Sequence, residues 1–308
     1  MLLRISHTTS FIYEKPVYQS QNEIRMHPLD GPRQRLVEFE LIVNPEPALL
    51  EYDDYFGNHV YAISIYPPHQ SLTIEARSVV ERRREPIFEA EPVLFSEYLP
   101  HDAGRVSREY DFLGATHHVP FSKTLRRFFW MVRPNFDESV AGWTHRAVNF
   151  IRDQFIYEPG LTRVNSTADE ILSIGGGVCQ DFAHLTLGVL RLAGVPARYV
   201  SGYIVPPAKA ALVEKISAQA SHAWIEAELP GLGWVGFDPT HGCRADERHI
   251  RVAVGRDYAD VPPLRGVYRS LGNSQQMSVN LRIEPLDASQ SQQPPGREQK
   301  QSAGGQQQ

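Results

Sequence analysis

From Cys179 to Leu192 the chain reads as a helix that is apolar around almost its whole circumference. Phe182, Ala183, Leu185, Leu187, Val189, Leu190 and Leu192 leave it hardly any face for water. A helix of that kind needs neighbours on every side, so it belongs at the centre of a layered core. Its ends are also legible. Gly175-Gly176-Gly177-Val178 leads into Cys179, and Gly194 with Pro196 two residues on stops the helix. A cysteine thus opens a buried helix directly after three glycines.

That placement has chemical consequences. A helix N-terminus presents unpaired amides and partial positive charge. A thiol there can drop from about 8.5 to roughly 3.5–7.5, especially beside an imidazolium. The glycines leave room for a substrate backbone to approach. Downstream come Ser221-His222-Ala223-Trp224 and Gly236-Phe237-Asp238-Pro239-Thr240. Thiol, imidazole and carboxylate are the parts of a nucleophile, its base and the base's orienter. Taken alone, Cys179 is better explained as a small buried apolar residue, His222 as a histidine satisfied locally, and Asp238 as a turn residue before Pro239. Taken together they point to a catalytic set of Cys179, His222 and Asp238. The Cys179 amide is the natural oxyanion donor, and Gly177, Gln180 and Trp224 are candidate site-lining residues. Asp181, in the first helical turn, favours the dipole or bonds loop amides and has no catalytic part.

The hairpin geometry sets a condition. His222 to Leu229 alternates, which puts His222, Trp224, Glu226 and Glu228 on one face. Asp238 follows His222 by 16 residues, across the Pro230-Gly231-Leu232-Gly233 turn. A turn centred between Gly231 and Leu232 places Asp238 opposite Ile225, on the wrong face. A shift of one residue places it opposite Trp224 or Glu226, on the face of His222.

Metal and nucleotide readings find less support. Cys179 and His184 do not share a helix face, and His241-Gly242-Cys243 with His249 lacks the paired spacing of a zinc site. No P-loop or dinucleotide fingerprint occurs, because the glycines lead into cysteine. Neither a metal nor a cofactor is expected.

The 308 residues suggest two domains. Residues 1–95 read as short strands punctuated by prolines, in an antiparallel sandwich-like domain. In one of them Val37, Phe39, Leu41 and Val43 share a face. Residues 96–120 form a connector, 121–285 a catalytic core, and 286–308 a Gln-rich tail expected to be disordered. Within the core, helices are expected from about Ser122, from Ser139 to Phe155, and after Asn165-Ser166-Thr167; a last strand is expected from Met277 to Ile283. The net charge of −5 argues against nucleic acid or an anionic membrane as a main partner. Two cysteines argue against a disulfide framework and suit a reducing compartment. With no signal peptide or membrane helix legible, the cytoplasm is the expected location.

The chain resembles the transglutaminase-like superfamily of bacterial papain-type thiol enzymes. The likeness lies in Gly177-Val178-Cys179-Gln180-Asp181-Phe182-Ala183-His184 and Gly194-Val195-Pro196-Ala197-Arg198-Tyr199-Val200-Ser201-Gly202-Tyr203. It continues through Ser221-His222-Ala223-Trp224, Gly233-Trp234, Phe237-Asp238-Pro239-Thr240 and Gly255-Arg256-Asp257-Tyr258-Ala259-Asp260-Val261-Pro262-Pro263. The first 95 or so residues resemble the β-rich region that precedes the core in this group. The resemblance implies an α+β, papain-like core with Cys179, His222 and Asp238 as its triad. It implies thiolate attack on the amide of a protein or peptide, giving a thioester that passes to a primary amine or to water. A non-catalytic binding protein on the same fold is the alternative from another class; the intact triad argues against it.

Overall fold

The computed structural model describes residues 1–83, 91–98, 109–205, 221–272 and 274–286. The tail from 287 onward and the Ala- and Lys-rich stretch 206–220 lie outside the described residues, as does much of the expected connector. The chain begins with β1 (Leu2–Ile24), β2 (Gln34–Asn44), β3 (Ala48–Asp53), β4 (His59–Ile65) and β5 (His69–Arg82). The middle carries α1 (Lys123–Val132), α2 (Val140–Gln154), β6 (Ile156–Tyr157), α3 (Ala168–Ile174), β7 (Gly176–Gly177) and α4 (Cys179–Leu192). Then come β8 (Ala197–Ile204), β9 (His222–Leu229), β10 (Gly233–Asp238), β11 (Cys243–Arg244), β12 (His249–Gly255), β13 (Leu264–Ser270) and β14 (Gln275–Leu286).

The helices start where polar caps stand. Ser122 accepts from the Leu125 amide, Ser139 from the Gly142 amide, and Thr167 from the Glu170 amide in a capping box. Gly175 ends α3 at a φ of 81°, in the left-handed region that glycine enters without steric cost. Helix α4 is enclosed as its sequence requires: every residue from Asp181 to Arg191 is buried. Its side chains Phe182, Leu185, Val189 and Leu190 share a core with Leu125, Trp143 and Ile151 of α1 and α2 and with Ala223, Ile225 and Ala227 of β9.

The helices pack on one face of a five-stranded sheet, and a larger sheet packs against that sheet. In the larger sheet, the first along the chain, the strand order is β2-β5-β1-β4-β3, and β13 and β14 also pair with β1. Leu2–Ile12 lies between β5 and β14, whereas the stretch after Val17 lies between β4 and β13. Register breaks between Ile12 and Val17 and between Tyr18 and Gln21 mark the change of partners, with Gln19 at a φ of 52°. The expected sandwich is therefore one hydrogen-bonded network sharing a single long strand. The last strand, expected at Met277–Ile283, falls within β14 and pairs with β1. Val37, expected to share a face with Phe39, Leu41 and Val43, is exposed, because a register break between Leu36 and Glu38 turns it outward. Phe39, Leu41 and Val43 do pack on the core.

The second sheet runs β11-β10-β9-β8-β12. Its edge strand β12 is covered by side-chain amides from the first sheet. Asn58 donates to Val254 O and accepts from Val254 N, both at 2.8 Å. Gln34 does the same on Arg251, at 2.8 and 2.9 Å. These amides satisfy backbone groups that an open edge leaves unpaired. Leu3, Ile5, Val80 and Leu281 pack beside them against Tyr203, Ile250 and Val252.

Candidate active site

The entrance to α4 is held by one carboxylate. Asp181 turns back and accepts from the Val178 amide at 2.7 Å and from the Thr162 hydroxyl at 2.6 Å. It is buried, and burial raises its pKa against the effect of these two bonds. Gly177 provides the room, since a Cβ there would overlap the Asp181 carboxylate. Gly177 also pairs with Tyr157 in the short parallel ladder of β6 and β7. The Gln180 amide donates to Val164 O at 2.8 Å and so fastens the 161–166 loop beside Cys179.

Cys179 itself is partly buried against the helical core. Its thiol is close enough to His222 to help raise the imidazole. His222 Nε2 lies 2.8 Å from Asp238 Oδ2, which leaves Nδ1 as the ring nitrogen for the thiol. Burial alone would lower the imidazole; the bond to Asp238 and the neighbouring Cys179 outweigh it and raise His222 to about 10. The three sequence-selected residues are thus together. Asp238 reaches His222 because β10 pairs with β9 one residue off the symmetric turn. Phe237 stands opposite Ile225, so the next position, Asp238, falls across from Trp224.

Asp238 has more partners than sequence reasoning gave it. His241 Nδ1 and His249 Nε2 also meet Oδ2, at 2.7 and 3.1 Å, and the amides of Thr240 and His241 meet Oδ1 at 2.9 and 3.2 Å. The carboxylate is fully buried. Burial pushes its pKa up, but the hydrogen bonds from His222, His241 and His249 override this and hold it far below the usual carboxylate range. His249 is held in place on its other side as well, with Nδ1 3.1 Å from the Asp246 amide and 3.0 Å from the Asp246 carboxylate. In sequence the His241–His249 stretch is only a poor zinc motif; strand register brings both histidines to Asp238. His222, Asp238 and His241 do have ligand atoms within 4.8 Å of one another. The nitrogens of both histidines that face Asp238 are already engaged by its carboxylate.

The candidate lining residues differ in position. Trp224 is buried behind His222, with ring centroids 6.1 Å apart, and packs edge-on to His249. It is a back wall. Trp234 lies away from the thiol, under the Arg198 guanidinium at 4.2 Å. Tyr157 is a neighbour the sequence did not flag. It is half exposed, and its phenol is raised by burial and then by Cys179 and Asp238 nearby. Cys243, the other cysteine, has its thiol raised by burial and by Asp238 and Asp246.

Residues 3–81 match the bacterial transglutaminase-like N-terminal region, and residues 137–239 match the transglutaminase-like superfamily. The second match contains Cys179, His222 and Asp238. The chain belongs to the transglutaminase-like superfamily. Among its relatives is the uncharacterized protein ML0607 of Mycobacterium leprae, 36% identical over 88% of this chain and 94% of that one. A protein-glutamine gamma-glutamyltransferase of Pseudomonas aeruginosa is 34% identical over 40% of this chain and 20% of its own length. A solved structure described as a "Putative Cysteine Protease" from Cytophaga hutchinsonii superposes with a TM-score of 0.72 at 22% identity, covering 93% of this chain and 92% of that one. That likeness supports the transglutaminase-like fold.

Proposed function

We propose that the protein is a thiol-dependent acyltransferase acting on amide bonds of proteins or peptides. The observation that carries this reading is the His222 ring, held by Asp238 on one nitrogen and partnered by the Cys179 thiol. In the Cys179–His222 pair the proton rests on the imidazole, and the Cys179 sulfur attacks the amide carbonyl. The carbonyl oxygen becomes an oxyanion beside the Cys179 amide. The C–N bond then breaks, His222 protonates the departing amine, and an acyl thioester remains on Cys179. A primary amine closes the cycle by transamidation: it attacks the thioester, and its proton passes to His222 and on to the sulfur. Water in the same position gives hydrolysis, as in a protease or deamidase. The named gamma-glutamyltransferase relative favours the amine as acceptor. A working thiol also favours a reducing compartment such as the cytoplasm.

The test is mass spectrometry of glutaminyl peptides incubated with the purified protein, with and without a primary amine. Amine incorporation at glutamine supports transamidation. Hydrolysis in both arms assigns water as the acceptor. Equal turnover by Cys179→Ala, or no turnover and no acyl-enzyme with any peptide, overturns the proposal.

A further inference from the structure

Behind the triad, on the side of the second sheet away from α4, is a cavity of about 550 Å³. One wall is the Gly31–Gln34 turn of the first sheet; the other is built from β8, β9, β10 and β12. Its charge is unbalanced. Arg33, Arg82, Arg198 and Arg251 line it, and Glu226 is the one carboxylate residue among the lining side chains.

Glu226 is shared between two of these arginines. Arg198 takes Glu226 Oε2 with both Nε and Nη2, at 2.8 and 2.6 Å. Arg251 comes no closer to Glu226 than 3.4 Å and donates Nη2 to the Asp30 carbonyl. Arg82 is buried and spends its donors on neutral oxygens: the carbonyls of Arg33, Asp246 and Glu247, and the Gln34 amide. Among the described residues, Arg198 Nη1 and Arg251 Nε have no acceptor. The crowding is consistent with the lowered pKa of Arg82, pushed down to about 10 by burial and then by Arg33 and Arg251. Desolvated like charges of this kind attract an anion strongly. The remaining wall is apolar and aromatic, from Trp224, Trp234, Leu232 and Ala245.

We propose that this cavity binds a small molecule carrying a phosphate or carboxylate group on an aromatic or apolar body. Arg251 and Arg198 take the oxyanion, as guanidinium forks suit such groups, and the body lies against the two tryptophans. His249 lines the same cavity and bonds Asp238 at 3.1 Å, so the occupant sits one side chain behind the triad.

Calorimetric titration with phenyl phosphate and with benzoate, at fixed ionic strength in chloride, tests the site. Saturable binding of one molecule per chain is expected for at least one probe, and the tighter probe identifies the anionic group. Arg251→Gln should weaken it at least about tenfold, the loss of a charge-assisted hydrogen bond. Glu226→Gln should tighten it, because the competing carboxylate is gone and the Arg198 fork is released. Arg83→Gln, on an exposed pair with Glu81, should leave it unchanged. Absence of saturable binding by both probes overturns the proposal. So does wild-type affinity in both cavity variants, or an Arg83→Gln loss as large as that of Arg251→Gln. If Arg251→Gln fails to fold, as melting in chloride reveals, the opposite-signed Glu226→Gln arm still decides.

Discussion

His222 Nε2 and Asp238 Oδ2 meet at 2.8 Å because the hairpin between them is offset by one residue from a turn centred on Gly231 and Leu232. Strand side chains alternate, so the offset moves Asp238 from the face of Ile225 to that of His222. His222 and Asp238 are therefore matched by register. Ala223 and Ile225, on the other face of β9, stay free to pack on α4.

Cys179→Ala should abolish turnover and leave the melting curve nearly unchanged, since the thiol is only partly buried at the edge of the core. Cys243→Ser should be close to silent. In timed alkylation at neutral pH, Cys179 should react well before Cys243, whose thiol is raised by burial and two nearby carboxylates. Peptide mapping of the alkylated sites reads the order, and faster labelling of Cys243 contradicts it.

His222→Ala should be nearly as damaging as loss of Cys179, because nucleophile and base act as one unit. Asp238→Asn should reduce kcat by up to about 10⁴-fold, as for the corresponding change in a serine triad. His249→Ala removes one of several donors to Asp238 and should cost less. Steady-state kinetics of the three variants give the ranking; a normal kcat in His222→Ala removes that residue from the chemistry.

The raised pKa of His222 has a signed consequence for stability. Its folded value is about 10, above the ordinary 6.5. The protonated ring therefore stabilises the fold fully below pH 6.5, and this contribution is lost as pH rises through about 10. Melting temperature should fall across that window. Asp238→Asn should flatten the fall, since the Asp238 bond is the leading cause of the upward shift. Parallel melting curves for wild type and variant across the window refute the assignment.

Gly177→Ala should destabilise the protein by about 1–3 kcal/mol, the usual cost of overpacking. The added methyl meets the Asp181 carboxylate, which grips the Val178 amide at the mouth of α4. Activity should drop more than stability predicts, because Cys179 stands next in the chain. Denaturant unfolding and kcat measured on one preparation separate the two effects.

The local features of this fold were legible because each carries its own signal. Ser122, Ser139 and Thr167 mark the three helix starts they cap, and the apolar circumference of α4 dictated its burial. The three catalytic candidates were readable from residue type and order. Two kinds of information were not. Pairings between distant strands, such as β1 with β14, depend on which edges remain open after the rest has packed. Convergence of side chains from separate strands, such as His249 on Asp238 or Arg82 and Arg251 on one cavity, depends on register and twist. Asp181 was assigned to the helix dipole or to loop amides; the bond it makes to the Val178 amide is of the second kind.

The pairing of Leu2–Tyr13 with Gln275–Leu286 also sets an order of assembly. On the ribosome, β1 emerges first and can recruit β5 early, yet its other edge must wait until the whole catalytic core has been made. Until then a bare strand edge is exposed, a template for pairing with other nascent chains. Strand β14 is therefore a closing clasp. Chains halted shortly before residue 275 should carry a folded core and still aggregate.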